Sequence, residues 1–99
     1  MQVQFQENDA RVNISGEFTF TDHAAFRDVA CRLFQAKGDT IVIDLSQLQF
    51  IDSAGLGMLL LARDEASKST RKLVLSRPQG QVRRMFTVTK FDELFTIQA

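Results

Sequence analysis

The sequence has 99 residues, 12 Lys plus Arg against 12 Asp plus Glu, a formal net charge of zero and 44% hydrophobic residues. That length makes one domain, residues 1–99, with room for a modest core. Zero net charge argues against nucleic acid and anionic membranes as default partners, because both need a concentrated positive field. The same neutrality puts little repulsion in the way of a weak homodimer.

Cys31 is the single cysteine, so neither an internal disulfide nor a cysteine-based metal site can form, which fits a reducing compartment. Met1 to Asn8 alternates polar and apolar residues and lacks the basic and apolar regions of a signal peptide. The run Ala54 to Ala62 is too short to span a bilayer. These features predict a cytoplasmic protein with no membrane insertion.

Val3 and Phe5 alternate with glutamines, which predicts a first strand with one buried face. Glu7-Asn8-Asp9 is a turn cluster. Val12, Ile14, Gly16, Phe18 and Phe20 keep the period of two, predicting a second strand that forms a hairpin with the first. Asp22 is an N-cap candidate. After it, Phe26, Val29, Ala30, Leu33 and Phe34 form an apolar helical stripe that Gly38 is expected to end.

Ile41-Val42-Ile43 and Leu45 read as a strand buried on both faces, as in a parallel sheet with helices on each side. A second helix is expected from about Ser53 to Lys68, a strand at Leu73-Val74-Leu75, and a third helix with Pro78 in its first turn. Val82, Met85, Phe86 and Thr89 share a face of that helix. Phe91, Leu94, Phe95 and Ile97 close the core. The order β-β-α-β-α-β-α predicts an α/β domain with a mixed sheet: an N-terminal hairpin, a βαβαβα core and right-handed crossovers. Sites in such sheets gather where strand C-termini meet helix N-termini.

The segment Phe50-Ile51-Asp52-Ser53-Ala54-Gly55-Leu56-Gly57 occupies that junction. Ser53 can serve simply as an N-cap, worth about 1 kcal/mol. Two features point further. Glycines at two positions of a helix's first turn cost about 1 kcal/mol each against Ala, which calls for compensation such as close approach of another backbone. At about 100° per residue, Ala54, Gly57 and Leu61 lie on the side marked as solvent-facing by Asp64, Glu65 and Lys68, with Met58 beside them. A small, apolar patch beside a helix N-terminus suggests docking by another protein. A phosphate on Ser53 would be held by the helix dipole and free amides, yet would repel an apolar partner surface.

Asp52-Ser53-Ala54-Gly55-Leu56-Gly57 resembles the signature of the STAS domain of anti-sigma factor antagonists. Gly16-Glu17-Phe18, Ile41-Val42-Ile43-Asp44-Leu45-Ser46, Leu73-Val74-Leu75 and Arg84-Met85-Phe86 resemble other family segments, so the resemblance covers nearly the whole chain. It implies a STAS fold and a partner switch. The unphosphorylated protein would bind an anti-sigma factor that is also a serine kinase of the histidine-kinase-like ATPase class. Phosphorylation at Ser53 would dissociate the pair, and a serine phosphatase would reset it. ATP and metal would belong to the kinase, leaving this chain no cofactor. Asp52, Ser53, Ala54, Gly55, Gly57, Met58 and Leu61 are the expected partner-binding residues. Thr19 stands where the family often has Asp, and the C-terminal helix of many members looks shortened or missing before Ala99.

Catalysis by the chain itself finds no support. A nucleophilic serine needs a base within reach, and nothing places His23, the only histidine, beside Ser53. Asp64 and Glu65 read as solvated charge rather than a metal site, and no P-loop or dinucleotide pattern occurs. STAS domains also serve as constitutive scaffolds, as in a bacterial lipid-transport ATPase complex, or couple to response regulators. The hydroxyl at Ser53 favours the switch without excluding these.

Overall fold

The computed structural model describes residues 1–6 and 8–98; Glu7 of the expected turn cluster and Ala99 lie outside them. Five strands form one sheet in the order β1-β2-β3-β4-β5: β1 Gln2–Gln6, β2 Arg11–Phe18, β3 Thr40–Ile51, β4 Lys72–Ser76 and β5 Thr96–Gln98. β1 runs antiparallel to β2, and each later pair is parallel. A short 3-10 turn, Phe20–Asp22, leads into α1 His23–Gln35. α2 Ser53–Lys68 joins β3 to β4, and α3 Gly80–Val88 with the short α4 Phe91–Leu94 joins β4 to β5.

Every parallel step moves one strand in the same direction across the sheet, so right-handed crossovers lay all the helices on one face, not on each side as the apolar run Ile41–Leu45 suggests; Val42, on the other face, is only half-buried. The core sits between them. Val12, Ile14 and Phe18 of β2, Ile41, Ile43 and Leu45 of β3, and Leu75 of β4 are fully buried there. They meet Phe26, Val29 and Leu33 of α1, Leu59 of α2, and Val82 and Phe86 of α3.

On the opposite face of β3, Asp44 is buried and accepts from Arg11, Arg77 and Ser46. Burial pushes its pKa up, but the Ser46 hydroxyl, the Arg77 guanidinium and the Ser46 amide outweigh it and hold the carboxyl down at about 2.

The expected elements are present, with five local corrections. Val3 is 42% exposed because β1 is an edge strand, while Phe5 is half-buried under the Arg32 guanidinium, 4.0 Å from its ring centroid. β2 stops at Phe18; Phe20 enters the 3-10 turn and is 70% exposed. Gly38 does not end α1: the helix closes at Gln35, and Arg71 donates to the carbonyls of Phe34, Ala36 and Gly38. Pro78 precedes α3, whose N-cap is Gln79. The C-terminal tail is ordered as α4 and a fifth strand, with Phe91 and Phe95 buried and Leu94 42% exposed.

Candidate functional site

β3 outruns β4: its ladder to β4 ends at Asp44↔Ser76, while its ladder to β2 continues to Phe18↔Ile51. The end of β3 therefore projects past β4 and delivers Asp52 and Ser53 to the start of α2. Three separate contacts fix it. The Asp52 amide donates to the Phe18 carbonyl at 3.2 Å. The Gln81 side-chain amide on α3 accepts from the Ile51 amide at 2.9 Å and donates to the Ile51 carbonyl at 2.8 Å, replacing the strand that β4 no longer supplies. The Asp52 carboxylate takes the Gly55 amide at 2.8 Å with Oδ1 and the Phe20 amide at 3.2 Å with Oδ2.

These bonds reassign the cap. Asp52, not Ser53, is the N-cap of α2, with extended backbone and a side chain that satisfies the third helical residue. Ser53 is the first helical residue, is exposed, and has no hydrogen-bond partner for its hydroxyl among the described residues. The amides of Ser53 and Ala54 belong to the first turn, where helix geometry offers no intrahelical carbonyl. The site thus presents an unengaged hydroxyl, two first-turn amides and the positive end of a sixteen-residue helix.

The expected outer face of α2 is partly retained. Leu61 is 61% exposed, and Ala54 and Gly57 are half-exposed. A Cβ on Gly57 would meet nothing within 4 Å, so this position is open. Met58 is a correction to that face, while Gly55, also expected among the partner-binding residues, is buried in the close approach that a first-turn glycine suggests. A Cβ on Gly55 would stand 2.7 Å from both the Phe18 carbonyl oxygen and Ile51 Cγ1, an approach that the glycine permits. Met58 is 6% exposed and joins the core, at the floor of a groove of about 350 Å³ between α1 and α2. Asp52 is half-buried, with both carboxylate oxygens engaged. His23 lines that groove, as do Cys31 and Leu61.

Sequence reasoning passed over Phe20 and Gln81. Phe20 flanks the site through its amide's bond to Asp52, and the hydroxyls of its chain neighbours Thr19 and Thr21 are hydrogen-bonded to each other at 2.9 Å. Thr19-x-x-Asp22 carries the signal: the Thr19 amide donates to Asp22 Oδ2 at 2.8 Å, a capping pattern that ends a strand. Gln81 has no comparable signal, because its partner lies 30 residues away.

Comparison with known proteins gives the family and the fold. The family model described as "Mlab, STAS domain" matches residues 1–97. A STAS-domain containing protein of Pseudomonas aeruginosa is 35% identical over 86 residues, 87% of this chain and 84% of its own length. The anti-sigma-B factor antagonist of Bacillus subtilis is 27% identical over 99 residues, 100% of this chain and 90% of its own length. Among solved structures, an anti-sigma factor antagonist from Mycobacterium paratuberculosis superposes with a TM-score of 0.83 at 23% identity, covering 98% of this chain and 84% of that one. The anti-sigma factor antagonist SpoIIAA in its unphosphorylated form gives 0.77 at 21% identity, covering 99% and 87%. At these identities the two structures speak to the fold alone.

Proposed function

This chain belongs to the STAS domain family, and we propose that it acts in the cytoplasm as an anti-sigma factor antagonist switched by phosphorylation of Ser53. The observation that carries the reading is the exposed Ser53 hydroxyl at the first position of α2, released from capping by Asp52. A serine kinase can take that hydroxyl without dismantling the helix start. The unphosphorylated protein binds a serine-kinase anti-sigma factor of the histidine-kinase-like ATPase class through Ser53, Ala54, Gly57 and Leu61. The kinase supplies ATP and metal, and a serine phosphatase restores the hydroxyl.

The electrostatics support opposite effects on the domain and on the partner. Phosphoserine carries close to two negative charges, which the α2 dipole and the first-turn amides stabilise. A partner surface packed on Ala54, Gly57 and Leu61 has to desolvate those charges, and about 2.8 kcal/mol of penalty weakens binding a hundredfold. Thr19 leaves one acidic group fewer beside the site than the family pattern has.

A second reading has one observation in its favour, the description of the matching family model as Mlab. In that reading the same helix face docks constitutively, as a scaffold subunit of a lipid-transport ATPase complex. Intact-mass measurement and phosphosite mapping of the protein from its native cells separate the two. A phosphate on Ser53 that varies with growth conditions supports the switch. A chain that is never modified, yet co-purifies with transporter subunits, overturns it.

A further inference from the structure

The two edges of the sheet are built differently. β5 forms one edge and is only three residues long. β1 forms the other, with five residues in unbroken register from Gln2↔Ser15 to Gln6↔Arg11 and no strand on its outer side among the described residues. Natural proteins blunt such edges with Lys, Pro, bulges, shortness or a covering element. β1 reads Gln-Val-Gln-Phe-Gln and contains no charge, proline or bulge. Val3 is 42% exposed on it.

The strand is also symmetric in pattern about Gln4, with Gln2 matching Gln6 and Val3 matching Phe5. We propose that the β1 edge pairs antiparallel with β1 of a second copy about a two-fold axis through Gln4. In that arrangement Val3 of each copy stands opposite Phe5 of the other, so two apolar pairs form on the core side of the sheet. Gln2 stands opposite Gln6 and Gln4 opposite its own counterpart on the other side. A two-fold contact requires one patch to complement itself, and this pattern does so without placing like charges across the axis. The chain's zero formal net charge adds no overall repulsion.

Ser53 follows β3, two strands in from this edge, so it stays exposed in both copies. The assembly presents two helix-start sites on one continuous sheet, and a partner carrying two receptor sites gains from the linkage. The inference does not depend on phosphorylation of Ser53.

Sedimentation velocity of the full chain from about 10 μM to about 1 mM, the range in which weak pairs populate, tests it. The wild-type mass should rise with concentration toward that of two chains. Gln4→Lys and Gln4→Glu each place like charges across the axis and should weaken pairing about two- to fivefold, while a one-to-one mixture of the two recovers it. Gln4 and Val3 are exposed, and Val3→Lys is a second, independent block. A wild-type chain that stays monomeric to the highest concentration overturns the proposal. So does a dimer that persists unchanged in folded Gln4→Lys or Val3→Lys protein, including one broken instead by Leu61→Glu, which would place the contact on α2.

Discussion

Asp52 Oδ2 accepts the Phe20 amide at 3.2 Å while Oδ1 of the same carboxylate accepts the Gly55 amide at 2.8 Å. One side chain therefore fastens the turn after β2 to the start of α2. Asp52→Ala removes the cap and the cross-link together, and should cost about 1–2 kcal/mol in urea unfolding. Amide exchange should quicken at both Gly55 and Phe20. Faster exchange at Gly55 alone would show that the Phe20 contact does not hold the turn.

Ser53→Ala separates the two assignments of the cap. Since Asp52 caps α2 and the Ser53 hydroxyl is unengaged, the substitution should change stability by no more than about 0.5 kcal/mol. A capping serine would cost about 1 kcal/mol. In the proposed switch the Ala variant binds the kinase constitutively, and titration calorimetry against that kinase reads this directly. Loss of binding in a well-folded variant would sink the switch.

The two glycines of α2 should respond with opposite signs. Gly55→Ala drives a methyl to 2.7 Å from the Phe18 carbonyl oxygen, and overpacking of that kind costs about 1–3 kcal/mol. Gly57→Ala meets open space, and the gain in helix propensity is up to about 1 kcal/mol. Thermal unfolding of the two variants gives the comparison. Equal shifts would mean that the approach of β2 to α2 is looser than the geometry.

Met58 and Leu61 sit one turn apart with different surroundings. Met58→Glu puts a carboxylate into the core at a 6% exposed position and should cost about 3 kcal/mol or more, enough to unfold much of the protein. Leu61→Glu, at a 61% exposed position, should leave stability within about 0.5 kcal/mol and impair partner binding. A folded Leu61→Glu protein with full affinity for its partner would remove this face from the interface.

The buried Asp44 sets an acid limit. Its carboxyl is held near 2, below the ordinary carboxylate value of 3.8. A lowered folded-state pKa contributes stability that is complete above the unfolded value and lost as pH falls toward the folded one. Asp44 should thus supply about 2 kcal/mol at neutral pH, disappearing between about pH 4 and pH 2. Asp44→Asn should be less stable at pH 7 and show a flatter acid limb in denaturation between those values. A wild-type and variant pair with parallel acid limbs would contradict the assignment.

Much of the fold is legible from local pattern. The period of two through Val12, Ile14 and Phe18 and the stripe Phe26–Val29–Leu33 each name an element and its buried face, while the run Ile41–Leu45 names its strand but not that the helices cover a single face of it. The junction at Ser53 is legible too, because strand, polar residue and glycine-marked helix follow one another within eight residues. Periodicity says which side of an element is apolar. It does not say how many neighbours that element has.

Tertiary structure decided the rest, for that reason. Val3 is exposed because β1 lies at the sheet edge, and Met58 is buried because α1 closes over that flank of α2. Asp52 caps the helix through the Gly55 amide, and the Phe20 amide, just after β2, ties the second oxygen of the same carboxylate to the neighbouring turn. Gln81 reaches Ile51 only because β4 ends early and leaves the ladder of β3 unpaired there. The sequence by itself determined the elements as far as α3 and placed a serine at a helix start whose cap is taken by its neighbour Asp52; only the tertiary structure added α4 and β5 and brought the Phe20 amide, 32 residues away, to the second oxygen of that cap, because such contacts depend on how distant elements pack.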